Sequence, residues 1–246
     1  MGQTIEIQTA DGPAEAYLVR PADGAEHPGV LLYIDAIGLR PRIEEMADRI
    51  ASWGYVVLAP NVFHRDGRAA DLAPTEDLTV PGNRERFFAS GVTDRVAALT
   101  PDKSDPDARR WVAALLEHGT GPIGVVGYCM GARLATRTAG LLPDHVAAVG
   151  GFHGGGLVTD HPASPHLRIA DARAEFVYGH ADGDRSMSPE AVEALGEALE
   201  KAGLAHTNET YAGAGHGYTM ADTSVYDEAA TERHFAALQD LFARTL

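Results

Sequence analysis

The stretch Ile123-Gly124-Val125-Val126-Gly127-Tyr128-Cys129-Met130-Gly131-Ala132-Arg133-Leu134-Ala135-Thr136 decides how the rest of the chain is read. Ile123–Gly127 is a short apolar run of the kind buried on both faces of a sheet, and Met130–Leu141 reads as a helix. Between them stands Gly-x-Cys-x-Gly. A side chain that must stand clear of a sheet edge needs a strained backbone with small neighbours, and Gly127 and Gly131 supply that room. The turn also puts Cys129 at a helix N-terminus, where peptide dipoles favour a thiolate. From there the N–H of Met130 can face an oxyanion. A cysteine simply buried between two packing glycines is the bland alternative. The strand–turn–helix setting favours the nucleophile.

Outward from that turn, strands alternate with helices. Upstream, the pattern predicts a hairpin of Thr4–Thr9 and Ala14–Val19 around Ala10-Asp11-Gly12, then a buried strand over Gly29–Ile34. A helix over Ile43–Trp53 ends at Gly54, and a strand covers Tyr55–Ala59. Residues 61–83 read as a surface excursion, followed by helical stretches near Arg84–Leu99 and Pro106–His118. Downstream, strands are expected over Val146–Gly151, Glu175–Gly179 and Thr207–Tyr211, with a helix over Pro189–Ala202. A last helix is expected over Ser224–Leu246, seeded by Tyr226, Ala229, Ala230 and Phe235. This order predicts an α/β fold in which one mostly parallel central sheet carries helices on both faces. A single domain over residues 1–246 is the expected organisation.

Composition narrows the function. With 246 residues, 45% of them hydrophobic, the chain can bury a real core. Lys+Arg number 20 against 35 Asp+Glu, a net charge of −15, which repels phosphate backbones and anionic lipid. No nucleic acid or membrane partner is therefore expected. One cysteine forms neither an internal disulfide nor a thiolate cluster for zinc, and no metal or cofactor is expected. No apolar run approaches the ~20 residues that span a bilayer, and the start alternates like a strand rather than a secretion signal. A cytoplasmic chain, monomeric or homodimeric, is the expectation.

A nucleophile needs a base. Among eleven histidines, His216 stands apart because it lies in Gly213-Ala214-Gly215-His216-Gly217-Tyr218, a loop between the last strand and the last helix. Small residues on both sides let that backbone approach neighbouring loops closely. The base in turn needs an orienting carboxylate, and His180-Ala181-Asp182-Gly183-Asp184 offers two. Both satisfy the chain order nucleophile, acid, histidine. Asp184 precedes a helix opening with Ser188 and Pro189, while Asp182 lies nearer the strand end, and sequence physics alone divides them evenly.

Taken together, Gly-Tyr-Cys-Met-Gly at 127–131, Ala-Asp-Gly-Asp at 181–184, Gly-Ala-Gly-His-Gly-Tyr at 213–218 and Tyr-Ile-Asp-Ala-Ile-Gly-Leu at 33–39 resemble the dienelactone hydrolase family. That family is a cysteine-nucleophile branch of the α/β-hydrolase fold, and the resemblance covers nearly the full length. It implies Cys129 as nucleophile, His216 as general base and Asp184, rather than Asp182, as the triad acid. It implies an oxyanion hole made by the N–H groups of Met130 and of Ile37, with Ala36 the alternative to Ile37. Asp35 stands where the family archetype has a glutamate that helps activate the cysteine; one methylene shorter, it leaves direct contact with Cys129 open. Met220 replaces an arginine that binds a substrate carboxylate, and a second such arginine falls within Arg84-Glu85-Arg86. A dianionic lactone is accordingly expected to be a poorer substrate than neutral or less charged small esters. The implied activity is hydrolysis of a small-molecule ester or lactone through a Cys-His-Asp triad and an acyl-enzyme. The alternatives are a thioesterase or acyltransferase on the same triad, or a non-catalytic ligand-binding protein on this scaffold.

Weaker motifs remain. Gly150-Gly151-Phe152-His153-Gly154-Gly155-Gly156 lacks the spacing of a phosphate cradle and reads as a pocket-lining loop, with His153 near the site but outside the chemistry. His64, Arg65, Asp66 and His180 lack metal-ligand spacing. Arg40 and Arg42 are expected to pair with Glu44 or Glu45.

Overall fold

Eight strands form one sheet in the order β1-β2-β4-β3-β5-β6-β7-β8, in a computed structural model that describes residues 2–246. The strands are β1 (Gln3–Thr9), β2 (Gly12–Val19), β3 (Pro28–Tyr33), β4 (Val56–Pro60), β5 (Thr120–Tyr128), β6 (Val146–Phe152), β7 (Glu175–Ala181) and β8 (His206–Tyr211). β1 and β2 form the antiparallel hairpin, β2 pairs antiparallel with β4, and every later pairing is parallel. The helices are α1 (Pro41–Ala51), α2 (Ala69–Leu72), α3 (Asn83–Phe87), α4 (Thr93–Ala98), α5 (Pro101–Leu116), α6 (Met130–Leu141), α7 (Pro189–Lys201) and α8 (Glu228–Thr245).

Both faces of the sheet are covered, and the period-2 geometry of a strand shows it. An ideal Cβ on Gly150 would meet Leu238 of α8 at 2.7 Å, whereas one on the next residue, Gly151, would meet Ala132 of α6 at 3.5 Å. Gly150 and Gly151 thus let α8 and α6 settle on opposite faces of β6. On the α8 side, Trp53 just beyond α1 stacks edge-on against Phe235, and Arg49 lies over the same ring at 3.9 Å. These faces are lined by strands such as Val30-Leu31-Leu32 and Val125-Val126, all fully buried. Continuous apolar runs are what a two-faced parallel strand demands.

The order β4-β3-β5 contains a topological switch: the chain leaves β3 in one direction to β4 and returns on its other side as β5. The loop after β3 and the turn after β5 therefore meet at the carboxyl edge of the sheet. Ligand crevices of α/β sheets lie at such points.

Three helix expectations need correcting. Arg84–Leu99 is not one helix: α3 and α4 are separated by a π-helical turn, Phe88–Val92, in which Gly91 sits at φ 101°. A residue in that left-handed region breaks the helical run, and glycine tolerates it without strain. The helix expected from Pro106 begins at Pro101, which takes the first-turn position, and Pro106 is carried inside it. The last helix starts at Glu228 rather than Ser224, because Asp227 caps it by accepting the Ala230 N–H at 3.0 Å. Tyr226 lies ahead of that cap, 39% exposed, and contributes nothing to the apolar stripe. Among the described residues, no helix is long and apolar enough to cross a membrane.

Candidate active site

Cys129 occupies a backbone position with φ 54° and ψ −120°, between the last residue of β5 and the first of α6. This is a costly conformation for any residue with a side chain, and such outliers cluster at functional sites. The two flanking glycines make it attainable. A Cβ on Gly127 would lie 2.2 Å from the Gly131 carbonyl oxygen, and one on Gly131 would lie 2.5 Å from the Ile34 carbonyl oxygen. Backbone meets backbone there, so the turn closes only without side chains. The cysteine is partly exposed at its tip.

The loop after β8 brings His216 to that sulfur, with Nε2 at 3.1 Å from Cys129 Sγ. The other ring nitrogen, Nδ1, lies 2.6 Å from Oδ2 of Asp184. Asp184 is fixed in turn, since its Oδ1 accepts the Ser186 N–H at 2.8 Å and the Ser186 hydroxyl at 2.7 Å. Asp182 does something else: its carboxylate accepts the Gly213 N–H at 2.8 Å, tying the turn after β7 to the histidine loop. The geometry therefore gives the ring contact to Asp184 and the loop contact to Asp182.

Electrostatics follow from these contacts. Burial pushes the Cys129 thiol up, but the charge and hydrogen bond of His216, helped by the Met130 N–H, bring it below its ordinary value of 9.0. Burial pushes the His216 imidazole down, yet the Cys129 sulfur and the Asp184 carboxylate outweigh it and raise the ring to about 10. Burial raises the Asp184 carboxyl, while His216 and Ser186 hold it down at about 2. Sulfur and imidazole thus each favour the charged form of the other.

The loop after β3 supplies the facing wall. Asp35 Oδ1 accepts the N–H of Ile37 at 3.1 Å and of Gly38 at 3.4 Å, so the Ile37 N–H is already engaged by a carboxylate. Asp35 also receives both ends of the Arg40 guanidinium, at 2.7 and 3.1 Å. Arg40 reaches on to Asp222 at 2.5 Å and 3.2 Å and touches the Met220 sulfur at 3.3 Å. The expected pairing of Arg40 with Glu44 or Glu45 is thereby overturned; only Arg42 meets Glu45, at 3.2 Å. With both partners of the Asp35–Arg40 pair almost fully buried, bidentate geometry is what offsets the desolvation. Arg40→Met is expected to destabilise the protein by about 3–5 kcal/mol. Urea denaturation measures this, and adding Asp35→Asn should recover much of the loss.

A narrow cleft opens over these groups, walled by Asp35, Ile37, Arg84, Cys129 and His216. His153 also lines it, fully buried, with Nε2 2.7 Å from the Thr219 hydroxyl and its ring edge-on to His216 at 5.4 Å. Burial and the neighbouring histidines hold His153 well below its ordinary range, so it is neutral. Sequence reasoning left Arg84 and Arg86 unseparated. Here Arg84 lines the cavity and stacks over Phe88 at 4.8 Å, whereas Arg86 turns away to Glu76 at 3.3 Å. It also missed Arg95, which donates to the Ala36 carbonyl at 3.2 Å and braces the same loop. His64 and His180 lie apart, bonded to Asp107 and Asn208.

Comparison with known proteins places this geometry. Residues 14–246 match the family model described as the dienelactone hydrolase family. A carboxymethylenebutenolidase of Rhodococcus opacus is 29% identical over 203 residues, spanning 82% of this chain and 74% of that protein. A provisionally assigned carboxymethylenebutenolidase of Methylorubrum extorquens is 26% identical over 250 residues, spanning 97% of this chain and 79% of the relative. Among solved structures, a provisionally assigned dienelactone hydrolase of Klebsiella pneumoniae superposes with a TM-score of 0.83 at 20% identity, covering 99% of this chain and 98% of the other.

Proposed function

The chain belongs to the dienelactone hydrolase family, and on that premise we propose that it hydrolyses small carboxylic esters and lactones through Cys129, His216 and Asp184. The observation that carries the reading is the unbroken relay Sγ–Nε2 at 3.1 Å and Nδ1–Oδ2 at 2.6 Å, on a turn that pushes the sulfur into a cavity. The Cys129 thiolate attacks the ester carbonyl carbon, and the electron pair of the C=O bond moves onto oxygen. The Met130 N–H receives that oxyanion, joined by the Ile37 N–H as it turns from Asp35. When the tetrahedral carbon collapses, the C–O bond to the leaving group breaks and His216 gives it a proton. A thioester to Cys129 remains. Water deprotonated by His216 attacks it, the C–S bond breaks, and the acid product leaves with the thiolate restored. Asp184 holds the imidazole tautomer throughout.

Asp35 plays a supporting part in this scheme. Both of its oxygens are held by Arg40, so the thiol proton goes to His216 rather than to Asp35. No cofactor or metal takes part. A panel of aryl acetates, butyrates and lactones tests the reading; no turnover of any member above the uncatalysed rate would overturn it.

The pairing also sets a pH dependence. Because the thiol is lowered by the imidazolium and the ring is raised to about 10 by the sulfur and Asp184, the reactive ion pair extends to lower pH than a free thiol would allow. Alkylation of Cys129 by iodoacetamide is expected to reach half its maximal rate at a lower pH than alkylation of a free thiol such as glutathione. In His216→Asn the rate should instead rise with pH toward the ordinary thiol range, as the thiolate loses its cation. Stopped alkylation followed by mass spectrometry checks both profiles.

A further inference from the structure

A second, larger cavity of about 180 Å³ begins one residue beyond the nucleophile, with Met130, Arg133, Leu134, Gly156 and Pro165 in its walls. Arg133 stands on α6 four residues after Cys129 and is partly buried. Its guanidinium has no ion pair or hydrogen bond among the described residues, and burial lowers it, with only the charge of Cys129 acting in its favour. Its neighbour in the same cavity shows the contrast. Arg137 is gripped by Asp105 at 3.0 and 2.7 Å and donates to the Ala163 carbonyl at 2.8 Å.

The loop between the two cavities ties Arg133 to the reaction centre. A Cβ on Gly155 would lie 3.6 Å from Cε1 of His216, and one on Gly156 would lie 3.6 Å from Cδ of Arg133. Adjacent residues of one glycine loop thus touch the base and the unpaired cation. Without an internal partner that guanidinium is free to take an anion, and its planar fork of N–H donors matches a carboxylate. The cavity's apolar walls, Leu134 and Pro165 among them, suit the methylenes of a short chain. One guanidinium within a chain of net charge −15 suits a monoanion better than a phosphate dianion.

We infer that this cavity is a substrate subsite in which Arg133 binds a carboxylate on a short flexible chain, while the ester carbonyl of the same molecule sits at Cys129. The inference deepens the hydrolase reading and rests on it. The substrate class is therefore open-chain half-esters of small dicarboxylic acids. Arg133 sets specificity and takes no part in bond making.

The experiment compares mono(4-nitrophenyl) glutarate with 4-nitrophenyl pentanoate on wild type, Arg133→Gln, Arg133→Lys and Arg84→Gln. In the wild type, kcat/KM should favour the glutarate. Arg133→Gln should cut the glutarate-to-pentanoate ratio at least tenfold, mainly through KM, and Arg133→Lys should restore part of it. Because the cation has no internal partner, the thermal midpoint of Arg133→Gln should hold or rise. An unchanged ratio, or a ratio moved only by Arg84→Gln, overturns the subsite while leaving hydrolysis intact. A readout without turnover keeps the two readings apart: glutaramate should slow iodoacetamide labelling of Cys129 in wild type and fail to do so in Arg133→Gln. Protection without hydrolysis of either ester would uphold the subsite and overturn the hydrolase reading. Absence of protection in the wild type, with both esters cleaved at similar rates, would do the reverse.

Discussion

Cys129→Ala is expected to lower kcat/KM for any good aryl ester by at least about 10³-fold, a loss of about 4 kcal/mol of transition-state stabilisation. The cavity, the Met130 N–H and the His216–Asp184 pair all survive the change, so the residual activity measures what positioning and oxyanion binding do alone. What disappears is the atom that forms the covalent bond. Water would then have to attack the ester directly, without the thiolate held 3.1 Å from His216 Nε2. Two further readouts make the result decisive. An acetyl adduct on Cys129 should be trapped by mass spectrometry after rapid acid quenching of the wild type with an aryl acetate. Cys129→Ser should retain a measurable remainder, because a hydroxyl can still be deprotonated by His216 but is not held as an anion at neutral pH. Full activity in the alanine variant would remove Cys129 from the mechanism.

The second large effect is on folding. Gly127→Ala is expected to destabilise the protein by about 3 kcal/mol or more, at the upper end for overpacking. The added methyl would lie 2.2 Å from the Gly131 oxygen, 2.3 Å from its carbonyl carbon and 2.7 Å from the Ala132 nitrogen. All three are backbone atoms in the first turn of α6, and no side chain can rotate away to make space. For a chain of this length, 3 kcal/mol corresponds to a fall of roughly 6–12 °C in Tm. Gly215→Ala is the control. Nothing lies within 4 Å of a Cβ there, and its stability should stay within about 0.5 kcal/mol of wild type. Equal melting of the two variants would show that the turn relaxes in a way the close approach does not allow.

The turn around Cys129 was legible in the sequence because its requirements are local: a buried strand, two glycines and a helix, all within some twenty residues. His216 was legible for a similar reason, since glycines on both sides mark a loop that comes close to others. Local residue physics could not separate Asp182 from Asp184, and only the family resemblance favoured Asp184, because both sit in one turn and differ in what the distant residues 213 and 216 present to them. Arg40 was misread on a different ground. Glu44 and Glu45 are its helical neighbours, but the loop after β3 turns it back to Asp35, five residues before it, and on to Asp222, 182 positions away. The broken helix between Arg84 and Leu99 hides behind an apolar spacing that continues across it, and the left-handed Gly91 that breaks it looks like any helix-interior glycine.

One consequence of composition reaches the bench. The chain holds a single sulfhydryl, and it is the atom at the tip of the turn. On the mechanism proposed above, moles of thiol label per mole of chain therefore give the fraction of nucleophiles left unoxidised. By the same arithmetic, one oxidation event silences a whole molecule, and storage under reductant becomes part of handling this protein.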